Sequence, residues 1–199
     1  KPRPANLDPK NPYHLVATDE TLVIRSYVAD GPARGISVGM PNGISYCFDA
    51  EKSHVVFGWF GAFMDVGPYR GNCRGRGGRL NRTLGTRFSV GAGGFPIRIG
   101  EKKPSEVQFR GYSRAKKQDV SFRYDVEGVS VHQKISPANA GVGLAYQFTI
   151  EDSQSDVTFT VDREQVNAKA PKGKWDGNEL KLTLTEAKSF TVEVMQKYN

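Results

Sequence analysis

The chain is poor in the residues that build most catalytic and metal centres. It has two cysteines, three histidines, three methionines and two tryptophans among 199 residues. Cys47 and Cys73 form no C-x-x-C pair, so they offer neither a structural zinc spacing nor an attachment motif for a c-type haem. They can form one disulfide in an oxidising compartment or remain two thiols in a reducing one. His14, His54 and His132 lie far apart, and no Ser/His/Asp order of a hydrolytic triad is present. Cys47, Met40, Met64 and the histidines share no closing loop of the blue-copper kind. Gly91-Ala92-Gly93-Gly94 lacks the Lys-Ser/Thr of a phosphate loop. Long apolar runs are also missing, which excludes a membrane-spanning helix. So are internal repeats and any long amphipathic helix.

Acidic residues are scarce beside basic ones. The net charge is +7, and it is concentrated. Residues 67–103 hold seven arginines, Lys102 and Lys103 against Glu101 alone: nine cations, one carboxylate, a local +8 that leaves −1 for the rest. Such a field attracts anions, unless the arginines pair with carboxylates elsewhere in the fold. Gly75-Arg76-Gly77-Gly78-Arg79 is too short and too closely flanked by strands for a disordered Arg-Gly nucleic-acid segment, so no nucleic-acid partner is expected. Twenty-two glycines and eleven prolines favour turns over helices. By area scaling the fold should expose about 9,300 Å² of about 32,000 Å², enough burial for a full core.

Residues 1–14 carry four prolines and read as an extended arm or linker. The chain begins at Lys1 rather than Met, as a processed protein or an excised segment would. From Thr21 onward it reads as strands: 21–28, 36–40, 44–48, 55–60, 86–90, 107–113, 120–126, 129–135, 144–150, 157–161, 179–184 and 190–195. Asn42-Gly43 and Glu127-Gly128 predict hairpins, and Trp175-Asp176-Gly177-Asn178 a turn. Asp162–Lys169 can make one or two helical turns. The expectation is an all-β chain: one two-sheet antiparallel sandwich over 15–199, with 61–104 as a long Gly/Arg-rich loop region.

The run from Gly35 to Glu51 (GISVGMPNGISYCFDAE), Gly58-Trp59-Phe60-Gly61-Ala62-Phe63-Met64-Asp65-Val66-Gly67-Pro68, Gly75-Arg76-Gly77-Gly78, Phe109-Arg110-Gly111-Tyr112 and Tyr124-Asp125-Val126-Glu127-Gly128 form a distinctive set. It resembles a domain of large exported proteins in planctomycetes and verrucomicrobia. There the domain accompanies c-type cytochrome and sugar-dehydrogenase-like modules. The resemblance covers most of residues 20–195. It implies a periplasmic or extracellular location, with redox or carbohydrate company. It implies no cofactor in this chain, since any haem belongs to an attached module.

The candidate site residues come from the central segment. Trp59, Phe63 and Tyr69 offer flat apolar faces for sugar rings, and Asp65, Arg70, Arg74 and Arg76 offer planar partners for hydroxyls. Trp59 and Phe63 can instead be core, and Asp65 can cap the Gly67-Pro68 turn or pin the loop through one arginine. The leading expectation is a non-catalytic accessory domain that binds glycan or polysaccharide, or docks on a cytochrome domain, through this basic aromatic surface. A rival is a carbohydrate-active enzyme using Asp49, Glu51 or Asp65 as acid or base, because i and i+2 on a strand share a face. The third reading is a purely structural domain.

Overall fold

The computed structural model describes residues 7–70, 80–115, 119–139 and 142–197. The chain is all-β, with antiparallel sheets and two single-turn helices among the described residues. It divides into two compact units, one of Lys1–Asp49 with Val55–Phe88, the other of Ala50–His54 with Ser89–Asn199.

The first unit holds one sheet. Its strands are β1 (His14–Leu15), β2 (Leu22–Arg25), β3 (Gly35–Gly39), β4 (Ile44–Asp49), β5 (His54–Asp65) and β6 (Arg82–Phe88), with the helical turn α1 (Gly67–Arg70) after β5. The order is β1-β5-β4-β3-β2, and β6 also pairs β5. Asn42-Gly43 turns β3 into β4 as the sequence predicts, with Gly43 at φ +82°. Both β1 and β6 pair with Met64 and Asp65, so they flank the end of β5 on opposite sides. A register shift between Gly61 and Met64 bends β5.

The second unit is a two-sheet sandwich. Its elements are β7 (Ile97–Ile99), β8 (Val107–Ala115), β9 (Asp119–Val126), β10 (Val129–Pro137), β11 (Gly143–Ile150), β12 (Val157–Thr160), β13 (Val166–Lys169), β14 (Lys174–Asp176), β15 (Glu179–Leu182), α2 (Leu184–Ala187) and β16 (Ser189–Gln196). One sheet runs β13-β16-β11-β10-β9-β8 and the other β14-β15-β12-β7. Strict alternation explains the layering. On β9, Val120, Phe122, Tyr124 and Val126 are buried. Phe159 of β12 meets Phe148 of β11 at 5.7 Å between ring centroids, and Phe148 stacks on Phe190 of β16 at 4.9 Å. The Tyr124 ring meets Phe95 edge-on, and its buried hydroxyl donates to Gln133 Oε1 at 3.0 Å, which leaves no orphan donor.

Several elements differ from expectation. Residues 61–104 carry the end of β5, all of β6 and all of β7, so regular structure takes much of the expected loop. Asp162–Lys169 ends in strand β13 rather than a helix, because Val166 and Ala168 alternate inward against β16. Trp175 and Asp176 close β14, and the turn itself is Gly177-Asn178. Residue 14 of the expected arm belongs to β1.

Candidate functional site

The structure disperses the aromatic surface expected around Trp59. Trp59 and Phe63 are buried, at 0% and 1% exposure. Their rings lie 5.9 Å apart and nearly parallel, and Trp59 Nε1 donates to the Phe63 carbonyl at 2.8 Å. Val28, Cys47, Met64 and Val66 complete their cluster. An indole enclosed in this way has no free face for a sugar, so both residues are core and not contact surface. Gly39 makes room for them: a Cβ there would lie 2.5 Å from Phe63 Cδ2.

Asp65 is also buried, at 5% exposure, and its oxygens are engaged. Oδ1 accepts from the Gly67 N–H at 3.0 Å, which is the expected turn cap. Oδ2 lies 3.4 Å from Arg82 of β6, and Oδ1 lies 3.9 Å from His14 Nε2 of β1. The Asp8 N–H donates to His14 Nδ1 at 2.9 Å, which places the neutral ring's proton on Nε2, facing Asp65. Asp65 therefore ties three segments of the first unit together and is taken up by the fold. Tyr69 and Arg70 sit in α1, while Arg74, Arg76 and Cys73 lie outside the described residues.

The rival carboxylates do not share a strand face. Asp49 is the buried last residue of β4, and Glu51 is exposed in the following turn, where the i, i+2 alternation no longer applies. Cys47 is a buried free thiol, and burial pushes its pKa up to about 11. That makes it a poor nucleophile and a poor metal ligand. His132 pairs with Glu151 at 3.5 Å on β10, and His54 Nδ1 lies 3.2 Å from the Lys52 carbonyl. Among the described residues, no three His, Cys, Asp or Glu side chains gather as a metal site.

Part of the basic segment pairs internally. Arg82 meets Asp65, and Arg87 meets Asp30 at 3.1 Å while lying over the Phe57 ring. In the second unit Arg98 meets Glu179 at 3.1 Å. Arg98, however, also enters a different arrangement.

The outer face of the four-stranded sheet carries a groove of about 650 Å³. On β7, β12 and β15 a polar residue stands between two apolar ones: Ile97-Arg98-Ile99, Val157-Thr158-Phe159 and Leu180-Lys181-Leu182. The apolar members turn into the sandwich, so the polar members turn out. The register then aligns them. Arg98 opposes Thr158, Thr158 opposes Lys181, and Lys181 opposes Lys174. Four strands thus present one transverse row of three cations and a hydroxyl, and all four residues line the groove.

The groove opens at the end of the sheet where β7 and β15 finish and β12 and β14 begin. Ser155, Asp156, Thr183 and Glu186 line it there. Thr183 and Glu186 form a capping box that starts α2. Glu186 accepts from the Thr183 N–H at 3.0 Å, the Thr183 hydroxyl at 2.9 Å and the Gly173 N–H at 3.2 Å. These bonds, the Thr183 N–H first, hold its carboxyl below the usual range. Asp156 Oδ1 accepts from the Leu184 N–H at 2.8 Å. Lys181 meets Asp176 at 2.5 Å, which lowers the Asp176 pKa.

Sequence reasoning did not find this row. The apolar-polar-apolar triplets were readable, but their alignment depends on pairings such as 98 with 158, which no local pattern encodes. No family model, curated protein or solved structure matches the chain. No described helix is long and apolar enough to cross a membrane.

Proposed function

We propose that the chain is a non-catalytic saccharide-binding domain, and that the groove on the four-stranded sheet is its site. The observation that carries this reading is the transverse row of Arg98, Thr158, Lys181 and Lys174 along a groove of about 650 Å³. That volume falls within the range of about 300–1,000 Å³ typical of small-ligand sites. Donors (Lys, Arg, Thr, Ser) and the carboxylates of Glu101, Asp156 and Glu186 line it together, which suits a ligand rich in hydroxyls. The resemblance to a domain of exported proteins supports a role as an accessory module of a redox or carbohydrate-processing assembly.

The groove is better suited to binding than to hydrolysis. A glycosidase needs one carboxyl held protonated as general acid. Glu186 is held ionised instead, and its lone pairs are taken by Thr183 and Gly173.

The test is a panel of neutral and acidic oligosaccharides against the whole chain and a Ser155→Trp variant. Ser155 is exposed on the groove wall, so the indole fills the site without touching the core. We expect at least one saccharide to raise Tm in the parent, reflecting about 2.7 kcal/mol of added stability at a hundredfold excess over Kd. We expect the shift to vanish in Ser155→Trp, whose own Tm stays the same, and no sugar to be cleaved. Product formation would make the chain an enzyme. Binding that survives Ser155→Trp would move the site elsewhere. A panel without any shift would leave the docking or structural reading.

A further inference from the structure

Lys174 and Lys181 stand directly opposite each other on neighbouring strands. Like charges so placed destabilise a sheet, so the fold gains nothing from this pair. Asp176 neutralises Lys181, and Glu179 neutralises Arg98. Lys174 has no ion pair or hydrogen bond among the described residues, although it is exposed on the groove. Three carboxylates line the groove; Glu101 makes no ion pair with Lys174 among the described residues, and the other two are engaged elsewhere. Glu186 holds Thr183 and Gly173, and Asp156 caps α2 through the Leu184 N–H. At the far end of the row, Arg98 Nη2 donates to Thr158 Oγ1 at 3.3 Å, yet its buried Nε finds no partner. A buried donor without a partner costs about 1–3 kcal/mol.

Two features of the row are thus left uncompensated among the described residues: the Lys174 charge, which faces Lys181, and the buried guanidinium Nε of Arg98. An oxygen bearing negative charge in the groove would neutralise the Lys174 end of the row. The lining also lacks an aromatic side chain, so it offers no stacking platform for the apolar face of a neutral sugar. We infer, resting on the saccharide-binding reading above, that the ligand is an anionic saccharide, with a carboxylate or sulfate ester bound at the Lys174–Lys181 end of the row. Asp156 Oδ2, the oxygen not used to cap α2, and the Ser155 hydroxyl at the groove end serve the neutral hydroxyls of the same chain.

The experiment is calorimetric titration of the whole chain with oligogalacturonate, a sulfated oligosaccharide and a neutral cello-oligosaccharide, each at low and high salt. Parent, Lys174→Glu, Lys174→Arg and Ser155→Trp are compared. We expect an acidic saccharide to bind about tenfold or more tighter than the neutral one, with the advantage shrinking at high salt. Oligogalacturonate or the sulfated sugar, whichever binds tighter, identifies the anionic group. Lys174→Glu should lose that advantage and Lys174→Arg keep it, with thermal stability of Lys174→Glu equal to or above the parent's, because it replaces the like-charge pair with Lys181 by an opposite-charge one. Equal binding of neutral and acidic sugars, abolished by Ser155→Trp, would overturn the anionic ligand and leave the saccharide site standing. Acidic binding indifferent to both Lys174→Glu and Ser155→Trp would overturn the placement. No binding of any sugar would overturn both readings together.

Discussion

Phe63 occupies the space where a side chain on Gly39 would stand. The contact lies between two strands of the first sheet, and Gly39 has no positive φ, so the demand for glycine is purely steric. Gly39→Ala should therefore destabilise the protein by about 1–3 kcal/mol, the range for overpacking, read as a lower urea midpoint at constant slope. The cost arises because a ring stacked 5.9 Å from Trp59 has no room to retreat. The same geometry explains why composition misplaced these aromatics. Val55–Asp65 is rich in apolar residues at both parities, so alternation alone does not separate an inner face from an outer one. What buries Phe63 is a glycine on a different strand. Asp65 was more legible: Asp-x-Gly is a local capping pattern, and the Asp65–Gly67 bond satisfies it.

At the scale of elements, turns were the readable part. Glu127-Gly128 joins β9 and β10 with φ +49° and +80°, the two positive angles that a tight hairpin demands. The Glu127 side chain adds a role the turn rule does not foresee. Its carboxylate accepts from the Glu106 N–H at 2.9 Å, and also from the Ser105 N–H and hydroxyl, fastening the approach to β8. The Glu106 N–H bond first, then those to Ser105, hold the carboxyl below its ordinary 4.5. A lowered folded-state pKa gives stability that is present above the unfolded value and lost as pH falls through the folded one. Between pH 7 and about 5 the Glu127 contribution should be constant, then fade at lower pH. Glu127→Gln should show a shallower acid limb below pH 4.5, measured by thermal melts across pH. Helix α2 was also legible after the fact: Thr183-x-x-Glu186 is a capping-box sequence inside a stretch that otherwise reads as strand.

Over the whole molecule, charge divides into two kinds. The excess in residues 67–103 is visible in the sequence because it is contiguous. The cationic row is invisible there, because Arg98, Lys174 and Lys181 meet only through strand pairing. The two should be separable in experiment. Arg76→Ala is expected to elute from a cation exchanger at lower salt, since it lowers the local field. Its affinity for a saccharide in the groove should be unchanged. A lost affinity would instead return the binding site to the arginine-rich segment.

The origin of the row also determines when it can exist. β7 reaches β12 across about sixty residues, and closing loops of that span is the slow part of building a sheet. β14 and β15 must then join the same sheet before Lys174 and Lys181 face Arg98 across it. The row therefore exists only once β7, β12, β15 and β14 have all paired. A ligand of the proposed groove would therefore report the completed topology.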